Sequence, residues 1–153
     1  MSRSFLGSAA FAALSCLCAQ QPAAPPPRSA ASEQEARRVI DAFFAAFNNQ
    51  DAEATRRVLS FPHIRIGGGG RVAITPSAQE WKGDPAALAA EGWHHSTLDK
   101  VTFTHSSADK VHAAVVFSRY RADGARYATY SALWIITKQD GRWGLLCRSS
   151  FAP

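Results

Sequence analysis

From Trp93 onward the chain reads almost continuously as strand. Segments 95–105, 111–121, 126–138 and 142–151 are rich in Val, Thr, Phe, Tyr, Trp and Ile, and the separators between them are short. Asp123-Gly124 and Asp140-Gly141 fall in two of those separators. Such dipeptides are hairpin signals because tight turns need a positive φ that glycine adopts without steric cost. Long strands joined by tight turns form an antiparallel meander, and a meander must bury one face against another layer.

The first half supplies that layer. Ser32-Glu33-Gln34-Glu35 offers an N-cap followed by an acidic first turn. Val39, Ile40, Phe43, Phe44 and Phe47 then recur at helical spacing as one apolar stripe, and Asn48-Asn49 ends the helix. Asp51 caps a second, short helix with Ala54, Val58 and Leu59 on its apolar side. A strand over 62–66, a glycine turn over 67–70 and a return strand over 71–75 follow. A third helix opens at Asp84-Pro85, runs to Ala90 and is ended by Gly92. Helices first and a long meander last is the α+β class. No internal repeat is visible.

The N-terminal residues are of another kind. Residues 1–19 carry one charge, Arg3, ahead of an apolar stretch from Phe5 to Leu17. That pattern predicts a secretory signal peptide, with small residues for cleavage near Cys16, Cys18 and Ala19, and a periplasmic destination. The alternative is cleavage before Cys16 and lipid anchoring through that cysteine. Residues 20–32 hold four of the eight prolines and no aromatic residue, which predicts an extended linker. The folded domain is then 33–153. It keeps Cys147 as its one cysteine, so it has no internal disulfide, and Cys147 in an apolar strand reads as a small buried residue.

Several classes of function fall away. No apolar run reaches the roughly 18 residues that span a bilayer as a helix. The mature part has 16 of the 17 basic residues and all 12 acidic ones, a charge of 16 − 12 = +4. Its arginines are scattered, without the basic stripe that nucleic acid requires. The five histidines show no HxH or HExxH spacing, so neither a metal nor another cofactor is expected. The glycines at 67–70 lack the following Lys-Ser/Thr of a phosphate loop.

A long helix ending Phe47-Asn48-Asn49-Gln50-Asp51-Ala52-Glu53-Ala54, a short helix and strand, and four long strands closing with Asp140-Gly141-Arg142-Trp143-Gly144 resemble the nuclear transport factor 2-like superfamily. That superfamily includes ketosteroid isomerases, SnoaL-type polyketide cyclases and limonene epoxide hydrolases. The resemblance covers residues 33–153. It implies N-terminal helices packed on a strongly curved, mainly antiparallel six-stranded sheet enclosing a cone-shaped pocket. It also implies a homodimer formed through the sheet's outer face, which the alternating apolar Leu133 and Ile135 permit.

Ketosteroid isomerase chemistry does not carry over. The family's helix-one tyrosine position falls on Phe43, its late-strand acid near Trp134, and its general base near Ile66. All three are apolar. What the resemblance implies is a pocket for a small hydrophobic or aromatic molecule.

The remaining polar candidates lie on the strands. His63 and Arg65 alternate with Ile64 and Ile66, so one pair faces the pocket and the other faces away. The ordinary arrangement buries the isoleucines. The reverse would give a general base, His63, beside an anion-holding Arg65. In Trp93-His94-His95-Ser96, adjacent histidines point to opposite faces, which leaves one of them free to enter the pocket beside the indole. Asp99 lies about 13 Å beyond His95 along the strand, too far to orient it. Tyr130, Ala132, Trp134 and Ile136 share one face, with Tyr120 across from it. Arg148 would anchor an anion if it points inward.

The sequence therefore leaves two functions open. One is a cofactor-free isomerase, dehydratase, cyclase or lyase in which His63, His94 or His95 moves a proton. Phe43, Phe47, Arg65, Trp93, Tyr120, Tyr130, Trp134 and Arg148 would then hold the ligand. The other is a non-catalytic ligand-binding or dimerisation module.

Overall fold

The structure, a computed structural model, describes residues 28–83 and 85–152, with only the backbone of Pro85 and Ala86. The expected signal peptide, the lipid-anchor alternative at Cys16, the linker up to residue 27 and Asp84 lie outside the described residues.

Helix α1 spans Ala30–Asn48. It starts inside the stretch expected to be linker, because Ser29 rather than Ser32 is the N-cap. The Ser29 hydroxyl accepts from the Ser32 backbone N–H at 3.4 Å. Ser29 caps as well as Ser32 would, and Ala30-Ala31 favour helix strongly, so the helix extends back by one turn. This start is tied to the far end of the sheet. The Ser29 N–H donates to Ser106 Oγ at 2.8 Å, and Ser106 Oγ donates to Glu33 at 2.8 Å.

Helix α2, Ala52–Val58, is capped by Asp51, whose carboxylate accepts from the Ala54 N–H at 2.8 Å. Strand β1, Leu59–Ile66, follows α2 directly and begins three residues before the expected strand. Pro62 does not stop it. Pairing with the neighbouring strand lapses between Leu59 and Ile64, so the N–H that proline lacks is not needed there. A glycine turn leads to β2, Val72–Thr75; α3, Pro85–Ala90, follows. The meander is β3, His95–Ser106; β4, Lys110–Tyr120; β5, Arg126–Gln139; and β6, Arg142–Ser150.

The six strands form one open sheet in the order β2-β1-β6-β5-β4-β3, antiparallel except for the parallel β1–β6 pair. Register shifts interrupt the β1–β6, β3–β4, β4–β5 and β5–β6 ladders. Bulges raise local twist and bend a sheet, and here they curl it around α1. The expected α+β architecture is the observed one.

The α1 stripe of Ala36, Val39, Ile40, Phe43 and Phe44 packs against Val111, Ala113 and Val115 of β4, Ala132, Trp134 and Ile136 of β5, and Leu145 of β6. Burying each large apolar side chain contributes about 1.5–3 kcal/mol, so this seam outweighs any single polar contact. Two polar fastenings fix its geometry. The Asn48 side-chain amide donates to the Ser96 carbonyl and accepts from the Ser96 N–H, each at 2.8 Å, which locks the end of α1 to β3. Arg142 donates to the carbonyls of Arg57 at 3.0 Å and Leu59 at 2.8 Å, stapling the α2–β1 junction to β6. Beside it, a Cβ on Gly144 would lie 2.3 Å from Ser60 Oγ, so only glycine fits this close approach.

Candidate functional site

A cavity of about 670 Å³ lies between the C-terminal half of α1 and the concave side of the sheet. Cavities of roughly 300–1,000 Å³ accept metabolite-sized ligands. One wall is aromatic. Phe43 and Phe47 stack at 5.5 Å, Trp134 meets Phe43 edge-on at 5.1 Å, and Phe117 continues the wall. Trp81, Leu88 and Glu91, from the segment after β2 and from α3 with its C-terminal turn, line the other side.

The β1 parity is the reverse of the ordinary expectation. His63 and Arg65 face the cavity, and His63 is 3% exposed. Ile64 and Ile66 instead face outward, opposite Ile74 and Val72 of β2. The reason lies in the sheet order. Because β1 sits beyond β6, its concave side looks into the cavity and not onto α1, so no apolar layer is there to demand isoleucine.

On β6 the shift between Ile135 and Ile136 leaves Leu146 without a cross-strand partner, so Leu145 and Arg148 share the concave face. Arg148 thus points inward. It stands opposite Trp134 on β5 and Arg65 on β1, with its guanidinium carbon 4.6 Å from the Phe43 ring centroid. Contact of this kind is favourable for a cation over a π face. Arg148 Nε is buried without a hydrogen-bond partner, and Arg148 has no ion pair among the described residues. Burial and the neighbouring Arg65 push its pKa down to about 10.

The state of His63 follows from its bonds. Nδ1 lies 2.9 Å from the carbonyl oxygen of Leu145. A carbonyl only accepts, so Nδ1 carries the proton and Nε2 is left with a lone pair. Nε2 is buried and unpartnered among the described residues. Burial, then the charges of Arg148 and Arg65, hold the pKa of the ring down to about 4, against a smaller opposing effect of the Leu145 bond. The ring is neutral at physiological pH and presents an acceptor.

Phe43, Phe47, His63, Arg65, Trp134 and Arg148 are thus brought together, whereas the other expected residues lie elsewhere. His94 is exposed and His95 half-buried, outside the cavity lining. Their Nδ1 atoms are 3.0 Å apart, and His95 stacks on Tyr120 at 4.8 Å. His94 precedes the first residue of β3, so strand alternation does not apply to it and both rings sit at the sheet's outer corner. Trp93 is buried but packs behind the cavity, edge-on to Phe47 at 5.1 Å and donating Nε1–H to Ser96 Oγ at 2.9 Å. Tyr130 lies below Arg119, whose guanidinium carbon is 5.1 Å from its ring. Asp99 accepts from Thr97 and Ser118.

Sequence reasoning missed Phe117 and Arg119. Val111, Ala113, Val115, Phe117 and Arg119 form one alternating file on β4 whose last member is charged, a pattern visible in the sequence. It also missed Arg71 on the glycine turn and Trp81 in the connecting segment, for which no periodic signal exists. Among the described residues no group of three or more His, Cys, Asp or Glu side chains is placed to hold a metal.

A family model described as NTF2-like protein (DUF6841) matches residues 33–148. Solved structures resemble the chain in fold. An NTF2-like protein with a cystatin-like fold from Novosphingobium aromaticivorans has a TM-score of 0.63 at 19% identity, over 78% of this chain and 80% of that one. An NTF2-like protein of unknown function from Pseudomonas putida KT2440 has a TM-score of 0.65 at 17% identity, over 83% and 90%. A cystatin-like-fold protein from Nostoc punctiforme has a TM-score of 0.65 at 14% identity, over 82% and 94%. No curated protein matches. At these identities the likeness is one of fold.

Proposed function

The chain belongs to the NTF2-like family DUF6841, and on that premise we propose that it binds a small hydrophobic or aromatic molecule in the cavity between α1 and the sheet. One observation carries this reading: the cavity has a continuous aromatic wall of Phe43, Phe47, Phe117 and Trp134 and a polar floor at His63 and Arg148. A concave site that sets aromatic side chains against converging polar groups is a common form of small-ligand site. Native mass spectrometry of the purified protein tests it. A co-purifying mass adduct that is lost in Phe43→Arg, a variant that fills the cavity with a charged chain, supports the reading; an adduct that persists in that variant refutes it.

A cofactor-free acid–base enzyme is the second reading. It rests on His63 Nε2, a buried lone pair with no partner among the described residues, on a residue that lines the cavity. Turnover of the co-purifying ligand that is unchanged in His63→Asn would remove it.

Export through residues 1–19, with lipidation at Cys16 as the alternative, is part of the same proposal and rests on the sequence pattern alone. A homodimer is supported by the apolar outer face of the sheet, where Val72 and Ile74 are each 62% exposed and Leu133 is 43% exposed. Light scattering of Ile74→Lys against wild type tests it. A monomeric mass for wild type refutes it.

A further inference from the structure

We propose that the ligand is an aromatic carboxylate, seated with its carboxylate on Arg148 and taken up together with one proton onto Nε2 of His63. This rests on the pocket reading above and adds the chemical class.

The charged residues among the cavity's described lining are mostly cationic. Among its described lining residues, Arg65, Arg71, Lys82, Arg119 and Arg148 are cationic, and only Glu80 and Glu91 are acidic. Both acids are exposed, and Glu80 is already bonded to Ser77 Oγ at 2.8 Å. Arg148 and Arg119 are lining cations without an ion pair among the described residues, each with its Nε N–H buried and lacking an acceptor; of the two, Arg148 lies over the Phe43 ring. A buried donor left unpaired costs free energy that an incoming acceptor recovers. A carboxylate meets guanidinium geometry with two parallel N–H···O bonds. The Arg148 guanidinium lies over the ring of Phe43, with the half-buried Phe47 and with Trp134 beside it. A flat ring attached to the carboxylate would lie against these rings.

The proton follows from the tautomer. The Leu145 carbonyl holds the ring proton on Nδ1, so Nε2 offers a lone pair toward a carboxylate that also offers lone pairs. Two acceptors face each other until a proton from solvent bonds to Nε2, giving an imidazolium–carboxylate contact. Among the described residues, the charged groups that line the cavity with His63 are Arg65 on its own strand, Arg148 on β6, Arg119 on β4, Arg71 beside β2, and Lys82, Glu80 and Glu91. Burial first, and then the charges of Arg148 and Arg65, oppose protonation of the ring. A bound carboxylate beside the ring adds negative charge and favours it.

The test is titration calorimetry of the full chain with 2-naphthoate and with neutral 2-naphthamide, in two buffers of different ionisation enthalpy near pH 6. The expected result is naphthoate bound at least about tenfold tighter than the amide, a charge-assisted contact being worth that much or more. Proton uptake should approach one per naphthoate, and should vanish in His63→Asn, which keeps a donor to the Leu145 carbonyl. Arg148→Met should abolish the preference while retaining amide binding. Equal binding of naphthoate and amide by wild type overturns the carboxylate class and leaves the pocket reading standing. Absence of proton uptake overturns the role given to His63. Binding of neither probe overturns this inference, whereas the pocket reading is decided separately by the mass adduct and its loss in Phe43→Arg.

Discussion

His63 donates its Nδ1 proton to the carbonyl oxygen of Leu145 across the parallel β1–β6 pair, at 2.9 Å. That bond fixes the tautomer, and the tautomer makes Nε2 a buried acceptor on a residue that lines the cavity, with the charges of Arg148 and Arg65 acting on the ring. The relation joins two strands remote in sequence and sets which ring nitrogen carries the proton, while burial and then Arg148 push the pKa of the ring down.

Acid stability follows with a definite sign. The pKa of His63 falls from 6.5 to about 4 in the folded chain, so the unfolded chain binds the proton more readily. The penalty is absent above about pH 6.5, grows as pH drops toward 4, and reaches about 3 kcal/mol at most. Urea unfolding of wild type should lose stability through this window, and His63→Asn should lose less. Equal slopes for the two would contradict the assignment.

The Asn48 clamp should be separable from the hydrophobic seam. Asn48→Ala leaves the N–H and carbonyl of Ser96 without their partners. Ser96 is 5% exposed, so the expected loss is about 1–3 kcal/mol in a denaturation midpoint, with little change in ligand affinity.

Trp134 has two roles, core and cavity wall. Trp134→Ala should cost about 3–5 kcal/mol, because it removes a ring stacked at 5.6 Å on Phe44 and edge-on to Phe43. Trp134→Phe should retain most of the stability yet weaken binding of a flat ligand. Calorimetry combined with thermal melts distinguishes the two losses.

Gly144→Ala should destabilise by about 1–3 kcal/mol through the approach to Ser60 Oγ. The double variant with Ser60→Gly should recover part of that loss, since the hydroxyl is the nearest obstacle. A double-mutant cycle with no coupling would contradict this packing.

Most of the fold was legible in the sequence because its signals are local. The stripe from Val39 to Phe47 has helical period, and the glycines at 124 and 141 mark turns, both with positive φ. The site was legible only in part. Parity says that His63 and Arg65 share a face, but which face depends on β1 lying outside β6, a pairing between residues more than eighty apart. Arg148 reached the cavity through the bulge at Leu146, which no dipeptide announces. His94 and His95 carried suggestive chemistry, yet they sit before and at the first residue of β3, where position relative to the sheet's corner decides the outcome.

The central claim is that the concave cavity, and no other surface, receives the ligand. Two-dimensional amide and indole NMR of the labelled protein titrated with 2-naphthoate tests it most directly. The account predicts shifts at the Trp134 indole and at His63, Phe117, Arg119 and Arg148. Shifts confined to His94, His95 and Tyr120, or to Val72, Ile74 and Leu133 on the outer face, would contradict it.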